Sequence, residues 1–304
     1  MIDRVGPPLV VLAAGLARRY GGCKPLAPIG PSGEPVVDLL ASDAVGAGFG
    51  RIVLVLHPET GPAVRYHVER CWPDSVPVDF AVQRLPLGTV HAVLAAKGVV
   101  GGDRAFGVAN ADDVYGATAM HALVSQLEGN AGEHVLIGYP LSATVVSDDP
   151  VTRGICEVGP DGLLVVLTER RKVTRGGEGE PFVAHDGLEP EILPASLPSS
   201  VNLWGFQPGI WDVLARAMSA SGLDEDALLA EVAAGADAPN AEVLLPEVVS
   251  TMVREGTGLP VRVVTTQSKL IGVTHASDLP IAGGELSRQV AWGVRPARLW
   301  ATLR

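Results

Sequence analysis

Short apolar runs alternate with segments of helical spacing through the first 140 residues. Buried strands are predicted where the runs are aliphatic and brief, at residues 9–13 and 51–57, and strands are also predicted at residues 104–113 and 134–141. A further strand is predicted at residues 76–83, where polar and apolar positions alternate. Helices are predicted at residues 36–47, 88–100 and 121–129. This alternation predicts a layered α/β domain with a mostly parallel sheet.

The pattern changes after residue 140. GICEVGPDGLLVVLTER, at residues 154–170, reads as two strands around a Pro-Asp-Gly turn. Further strands are predicted at residues 200–206 and 259–266, and helices at residues 208–219 and 225–233. The chain has 304 residues, 47% of them hydrophobic, which suits one α/β domain with insertions or a core with a small appendage.

Charge and cysteine content narrow the class of protein. The net charge is −11, and such a surface repels a polyanion, so we expect no nucleic-acid partner. The three cysteines are odd in number and share no metal-ligand spacing, which indicates reduced thiols in a cytoplasmic protein. No apolar run reaches the roughly 20 residues that a membrane span needs, so we expect no membrane partner.

The first candidate for chemistry is LVVLAAGLARRYGGCKPLAPIG, at residues 9–30. It could be a signal peptide, a dinucleotide-binding turn or a loop around a triphosphate. The two Arg that follow the apolar run argue against a signal peptide. The spacing of Gly15, Gly21 and Gly22 fits neither G-x-G-x-x-G nor the Walker loop. Arg18, Arg19 and Lys24 suit a triphosphate; the plain alternative is a solvated basic loop.

The second candidate is NADDVYG, at residues 110–116, which follows a predicted strand. Ligands of α/β sheets bind at the carboxyl ends of strands, and Mg²⁺ is held by carboxylates together with substrate phosphates. The paired acids therefore suggest a metal site. The alternative is a helix cap and turn, where Asp is common.

These elements together resemble the sugar-1-phosphate nucleotidyltransferases, the nucleotide-sugar pyrophosphorylases. LAAGLARRYGGCKPL is similar to their signature loop, QRLPLGTVHAV to their base-binding segment and VANADDVYG to their metal-binding strand end. RGICEV, LTER and VNLWGF resemble their sugar-side segments, and KLIGVTHASDL their last active-site turn. The resemblance covers about residues 8–280. It implies a Rossmann-like, three-layer, glycosyltransferase-A-type fold with a mixed, mostly parallel sheet.

The resemblance also implies a domain at residues 1–282 and a C-terminal helical tail at residues 283–304. The nucleotide-binding half would cover about residues 8–140 and the sugar-binding half about residues 141–282. The implied catalytic residues are Arg19, Lys24 and Asp112, with Mg²⁺ as cofactor and Asp112 as its ligand. The implied nucleotide-binding residues are Leu12, Ala13, Ala14, Gly15, Gln83, Gly88 and Thr89. Gly154, Glu169 and Asn202 would hold the sugar, with Arg170 or Lys172 as the cation near its phosphate.

Two departures from the family pattern keep alternatives open. The late turn carries Gly272 where the family has a second metal ligand, and Asp278 is the substitute that we name. The spacing from Arg19 to Lys24 is short, as in molybdenum-cofactor nucleotidyltransferases. We expect an enzyme that joins a nucleoside triphosphate to a sugar 1-phosphate. The sequence leaves open whether it forms a homo-oligomer. The alternatives are a non-sugar acceptor, such as a cyclitol phosphate or cofactor precursor, and a catalytically silent nucleotide-sugar sensor.

Overall fold

A computed structural model describes residues 6–15, 23–145, 149–176, 181–237, 239–272 and 278–300. The described strands are β1 Pro8–Ala13, β2 Arg51–Leu56, β3 Val78–Val82, β4 Phe106–Asn110, β5 Asp113–Val114, β6 His134–Pro140, β7 Val151–Val158, β8 Leu164–Arg175, β9 Phe182–Ala184, β10 Ile192–Leu193, β11 Pro198–Phe206, β12 Val261–Thr265 and β13 Ile271–Gly272. The described helices are α1 Val36–Ala47, α2 Gly61–Cys71, α3 Thr89–Ala95, α4 Lys97–Val100, α5 Ala117–Gly129, α6 Leu141–Thr144, α7 Ile210–Ala220, α8 Glu225–Ala233, α9 Leu245–Glu255 and α10 Leu279–Ala291.

One large sheet organises these elements. Its central run is β3-β2-β1-β4-β11-β6-β12, and the neighbours are parallel except at β11, which is antiparallel to both β4 and β6. An antiparallel extension, β7-β8-β9-β10, pairs with the first half of β11. The expected α/β fold with a mixed, mostly parallel sheet is therefore confirmed.

Helices cover both faces of this sheet and make three layers. Along β1, Leu9 and Val11 pack into one core with α1 and α5, whereas Val10 packs into a second core with α3, α7 and α9. Both faces of the strand are buried, which explains why it reads as an unbroken apolar run. The second half of the chain contributes β11 to the middle of the sheet, between β4 and β6 of the first half.

The described C-terminal residues pack on the first helices. Arg295 forms a buried two-pronged ion pair with Asp43 of α1, at 2.8 and 2.6 Å. The Trp300 ring lies 5.4 Å from that of Trp72, centroid to centroid. Since α10 begins at Leu279, the boundary that we expected at residue 282 falls inside a helix.

Candidate functional site

The carboxyl ends of β1, β3 and β4 meet at one edge of the sheet, where three cavities adjoin. β1 leads to Gly15, β3 to Gln83 and β4 to Asp112. Parallel strands place the residues that follow them at the same edge, so positions far apart in sequence can line one site.

The glycine-side cavity has a volume of about 490 Å³. Its lining residues are Leu12, Ala14, Gly15, Gln83, Pro86, Gly88, Thr89, Ala92, Asn110, Asp112, Pro239, Asn240 and Glu242. Six of the seven residues that we expected to bind a nucleotide are in this set. The seventh, Ala13, lines a smaller adjoining cleft.

Backbone packing explains the shape of the glycine-side cavity. Gly88 has φ +94°, and a Cβ there would lie 2.5 Å from the carbonyl oxygen of Val243. Only glycine allows both this conformation and this approach. The amide of Leu245 donates to Thr89 Oγ1 at 2.7 Å, which ties the late segment to the start of α3.

Gln83 presents an amide to the same cavity. Its Nε2 donates to the Gly88 carbonyl oxygen at 3.0 Å and lies 3.3 Å from a ring nitrogen of His91. Its Oε1 makes no hydrogen bond to another residue of the described ranges, so it can accept one from a ligand. His91 is buried and also contacts the Leu85 carbonyl oxygen, as a structural histidine does.

Asp112 is common to all three cavities. The smallest, of about 230 Å³, is lined by Leu12, Ala13, Gly15, Lys24, Pro25, Ala111 and Asp112. In it the Lys24 ammonium lies 3.1 Å from Asp112 Oδ2. Sequence reasoning assigned both residues to catalysis, and the structure brings them into direct contact. Arg19, Arg18 and residues 273–277 lie outside the described residues.

Asp113 adds a second carboxylate beside Asp112. Asn110 Nδ2 donates to Asp113 Oδ2 at 3.1 Å. Burial, reinforced by the neighbouring Asp112 charge, raises the pKa of Asp113 to about 7. The short pair β5–β13 sets Gly272 opposite Asp113, and a Cβ at Gly272 would lie 2.6 Å from Asp113 Oδ1. The carboxylate of Asp113 thus occupies the space that a side chain at Gly272 would fill.

The two acids fit a divalent ion that completes its shell from a substrate. Mg²⁺ is usually held by one or two carboxylates plus phosphate oxygens and water. Among the described residues, no group of three or more His, Cys, Asp or Glu side chains could hold a metal by itself. Asp278, our substitute ligand, lines the next cavity together with Asp112 and Asp113.

The arginine-side cavity also has a volume of about 490 Å³. Its lining residues are Asn110, Asp112, Asp113, Thr144, Asp149, Pro150, Val151, Thr152, Arg153, Gly154, Leu167, Glu169, Ser200, Val201, Asn202, Pro246, Glu247, Leu270, Gly272 and Asp278. The three residues that we expected to hold a sugar, Gly154, Glu169 and Asn202, are all in this set. Asn202 has φ +60°, and its Oδ1 accepts from Trp204 Nε1 at 3.2 Å.

Neither cation that we expected in this cavity lines it. Arg170 is buried, with its guanidinium paired to Asp186 at 2.8 and 3.0 Å and bonded to the carbonyls of Leu188 and Pro190. Lys172 is exposed, with φ +51°.

Strand alternation accounts for Arg170, because it follows Glu169, which lines the cavity, and so projects from the opposite face of β8. The β7–β8 pairing is irregular just beyond it. Arg153 pairs with Arg170, but Val151 pairs with Val173, so β8 carries one extra residue between the two pairs. Such a bulge redirects side chains. The cation that lines the cavity is Arg153, which sequence reasoning missed. The available signal was its position directly before Gly154, in a segment already assigned to the acceptor side.

The fold and site define an α/β protein with an acidic pair between two adjoining cavities, at the carboxyl ends of its parallel strands. A model of the MobA-like NTP transferase domain matches residues 9–202, more than half of the chain. The protein therefore belongs to the family with this domain. The match includes Lys24, Asp112 and Asn202 and ends before Gly272.

Family membership supports a nucleotidyltransferase activity, with a nucleoside triphosphate and a phosphorylated acceptor as substrates. A search of curated protein sequences found no match. No helix in the described residues is long and apolar enough to cross a membrane.

Proposed function

We propose that the protein transfers a nucleotidyl group from a nucleoside triphosphate to a sugar 1-phosphate, with Mg²⁺, and releases pyrophosphate. The observation that supports this most directly is that Asp112 belongs to both large cavities. A residue shared in this way can act on the α-phosphate of one substrate and the attacking phosphate of the other.

The glycine-side cavity would take the nucleoside. Leu12, Ala14 and Gly15 offer backbone and small side chains along the base and ribose, and Gln83 Oε1 offers an acceptor to the base. A side-chain amide can form hydrogen bonds with more than one base. The assay described below therefore tests which triphosphate the protein uses.

The phosphates would meet Lys24 and Asp112. Asp112 and Asp113 would hold Mg²⁺, which supplies charge neutralisation for the transferred phosphate. Lys24, now paired with Asp112, would turn to the β- and γ-phosphates as the triphosphate binds, together with Arg19. Such transfer requires positioning and charge more than covalent chemistry.

The arginine-side cavity would take the acceptor. Its polar lining, with Glu169 and Asn202, offers oxygen atoms to the hydroxyl groups of a sugar. A cyclitol phosphate or cofactor precursor is the second candidate, because the matched family is MobA-like and the spacing from Arg19 to Lys24 is short.

A pyrophosphate-release assay tests the proposal. Five common triphosphates are crossed with a panel of sugar 1-phosphates, cyclitol phosphates and cofactor precursors, with and without Mg²⁺. Release that needs a triphosphate, a sugar 1-phosphate and Mg²⁺ together is the expected result. Release only with a non-sugar phosphate would show that this compound, and not a sugar 1-phosphate, is the acceptor. Triphosphate binding with no release for any pair would instead favour a catalytically silent sensor.

A further inference from the structure

Arg153 is held in place by backbone carbonyls. Its Nε and Nη2 both donate to the Thr144 carbonyl oxygen, at 3.2 and 2.6 Å, and its Nη1 donates to that of Thr152 at 2.7 Å. A guanidinium fixed on one edge keeps its planar fork in a defined orientation. Two of its five N–H groups, one on each terminal nitrogen, have no partner among the described residues.

The charge of Arg153 is not neutralised by a contact. No carboxylate in the described ranges lies within ion-pair distance of it, whereas Arg170 and Arg295 each hold a carboxylate in a two-pronged pair. Burial lowers the pKa of Arg153, and the more distant charge of Asp113 opposes that effect. Arg153 is half-buried and lines the cavity with no carboxylate paired to it, so its charge is available to an anionic ligand.

The surroundings restrict where an anion can bind. Six carboxylates line the arginine-side cavity: Asp112, Asp113, Asp149, Glu169, Glu247 and Asp278. Arg153 is the one Lys or Arg among the described lining residues. A phosphate would be repelled by Glu169 and Glu247 and attracted toward Arg153. Arg153 lines the same cavity as Asp112 and Asp113, the acids toward which the attacking phosphate would be directed.

We propose that Arg153 binds the phosphate of the acceptor and orients it toward Asp112. This inference rests on the proposed function for the identity of the phosphate, although the anion site itself does not. The two free N–H groups of Arg153 would each donate to a phosphate oxygen, in the forked geometry that suits this anion. The remainder of the acceptor would extend toward Glu169 and Asn202, with hydrogen-bond donors facing the carboxylates.

The first test measures binding of inorganic phosphate and needs no turnover. Calorimetry is done with Mg²⁺ present and the glycine-side cavity saturated with an α,β-methylene triphosphate. We expect Arg153→Gln to weaken phosphate binding about 10- to 100-fold, the loss typical of a charge-assisted pair, and Arg153→Lys to restore part of it. Unchanged phosphate affinity in a folded Arg153→Gln protein would overturn the proposal.

Arg175→Gln is the matched control. Arg175 also donates to a backbone carbonyl, that of Val145, at 3.2 Å, but it does not line the cavity. Its replacement should leave phosphate affinity within about twofold of the wild-type value. An equal loss in both variants would mean that general surface charge explains the effect, and the proposal would be wrong.

The second test uses steady-state kinetics with the acceptor found in the pyrophosphate assay. Arg153→Gln should raise the acceptor KM about 10- to 100-fold and leave the triphosphate KM within about twofold. Equal rises in both KM values would contradict the proposal. If the wild-type protein releases no pyrophosphate with any acceptor yet binds phosphate through Arg153, the proposed function fails and the anion site stands.

Discussion

The two large cavities have the same volume but are built in different ways. The glycine-side cavity is lined mainly by small or apolar residues, with three amides and two carboxylates, on loops that follow parallel strands and on the late segment before α9. The arginine-side cavity is lined mainly by charged and polar side chains, at the start of an antiparallel extension. Under the proposed function, the first would recognise a flat base by its shape and by a few hydrogen bonds. The second would discriminate between ligands by charge, because Arg153 is the one cation beside six carboxylates among its described lining residues.

Removing the carboxylate that the two cavities share is expected to have the largest effect on activity. Asp112→Asn should lower kcat about 10³-fold, roughly 4 kcal/mol, because both cavities lose their common charged centre. Steady-state pyrophosphate release measures the loss, and thermal melting checks that the fold survives. Asp74→Asn, at an exposed loop position, is the control. Retained turnover in Asp112→Asn would remove this residue from the chemistry.

A methyl group at Gly88 tests the backbone-built cavity alone. Gly88→Ala should lower the free energy of unfolding by about 3 kcal/mol, since it combines a left-handed φ with a clash against Val243. Gly33→Ala is the matched control, with φ +85° and open space, and should cost about 1 kcal/mol. Urea denaturation compares the two. Equal losses would show that the clash contributes nothing.

Lowering the pH should destabilise the strands that carry the arginine-side cavity. Burial lowers the pKa of His134, at the start of β6, to about 4, from 6.5. Between pH 6.5 and 4 the unfolded chain therefore binds a proton that the folded chain does not, so stability falls as pH falls. The loss should reach about 2–3 kcal/mol at pH 4.

Urea denaturation at a series of pH values measures this slope. His134→Asn, whose Oδ1 can accept from the Gln207 amide in place of Nδ1, should flatten it. His121→Asn, at an exposed position of α5, should leave it unchanged. Hydrogen exchange at pH 5 should show more protection lost in β6 and β11 than in β1 and β2. A slope that persists in His134→Asn would assign the effect to other groups.

The smallest effect is expected from a change at Gln83, which should alter the KM of one substrate and not of the other. Gln83→Met keeps the length of the side chain but removes its amide, so the triphosphate KM should rise about tenfold, about 1.4 kcal/mol. The acceptor KM should stay within about twofold. Gln126→Met, on α5 and away from the cavities, is the control. A rise in the acceptor KM alone would reverse the assignment of the cavities.

The family resemblance named six of the residues that line the glycine-side cavity. Its residues follow strands whose apolar runs are read directly from the sequence, as at Leu12 to Gly15 and at Gln83. Helices α2 and α9 were not predicted. In α2 only Gly61, Val64 and Val68 are buried, so its sequence has few apolar positions at helical spacing.

The arginine-side cavity depends on features with no short-range signal. Arg170 pairs with Asp186 on the face of β8 opposite to Glu169, and the extra residue of β8 falls beside the exposed Lys172. Strand alternation alone cannot locate such a bulge. Asp113 was visible as one of two adjacent acids, but its place opposite Gly272 follows from a contact between distant segments.

The contact between Gly88 and Val243 also has a consequence for synthesis on the ribosome. The Val243 amide donates to Leu87, and the Val90 amide donates to Val243, so the late segment forms one wall of the glycine-side cavity. A nascent chain can form β1 to β4 long before this segment emerges, at roughly 5–20 residues per second. Nucleotide binding should therefore begin only after the second half of the chain has been translated. Binding would then indicate that the late segment has folded against the first half.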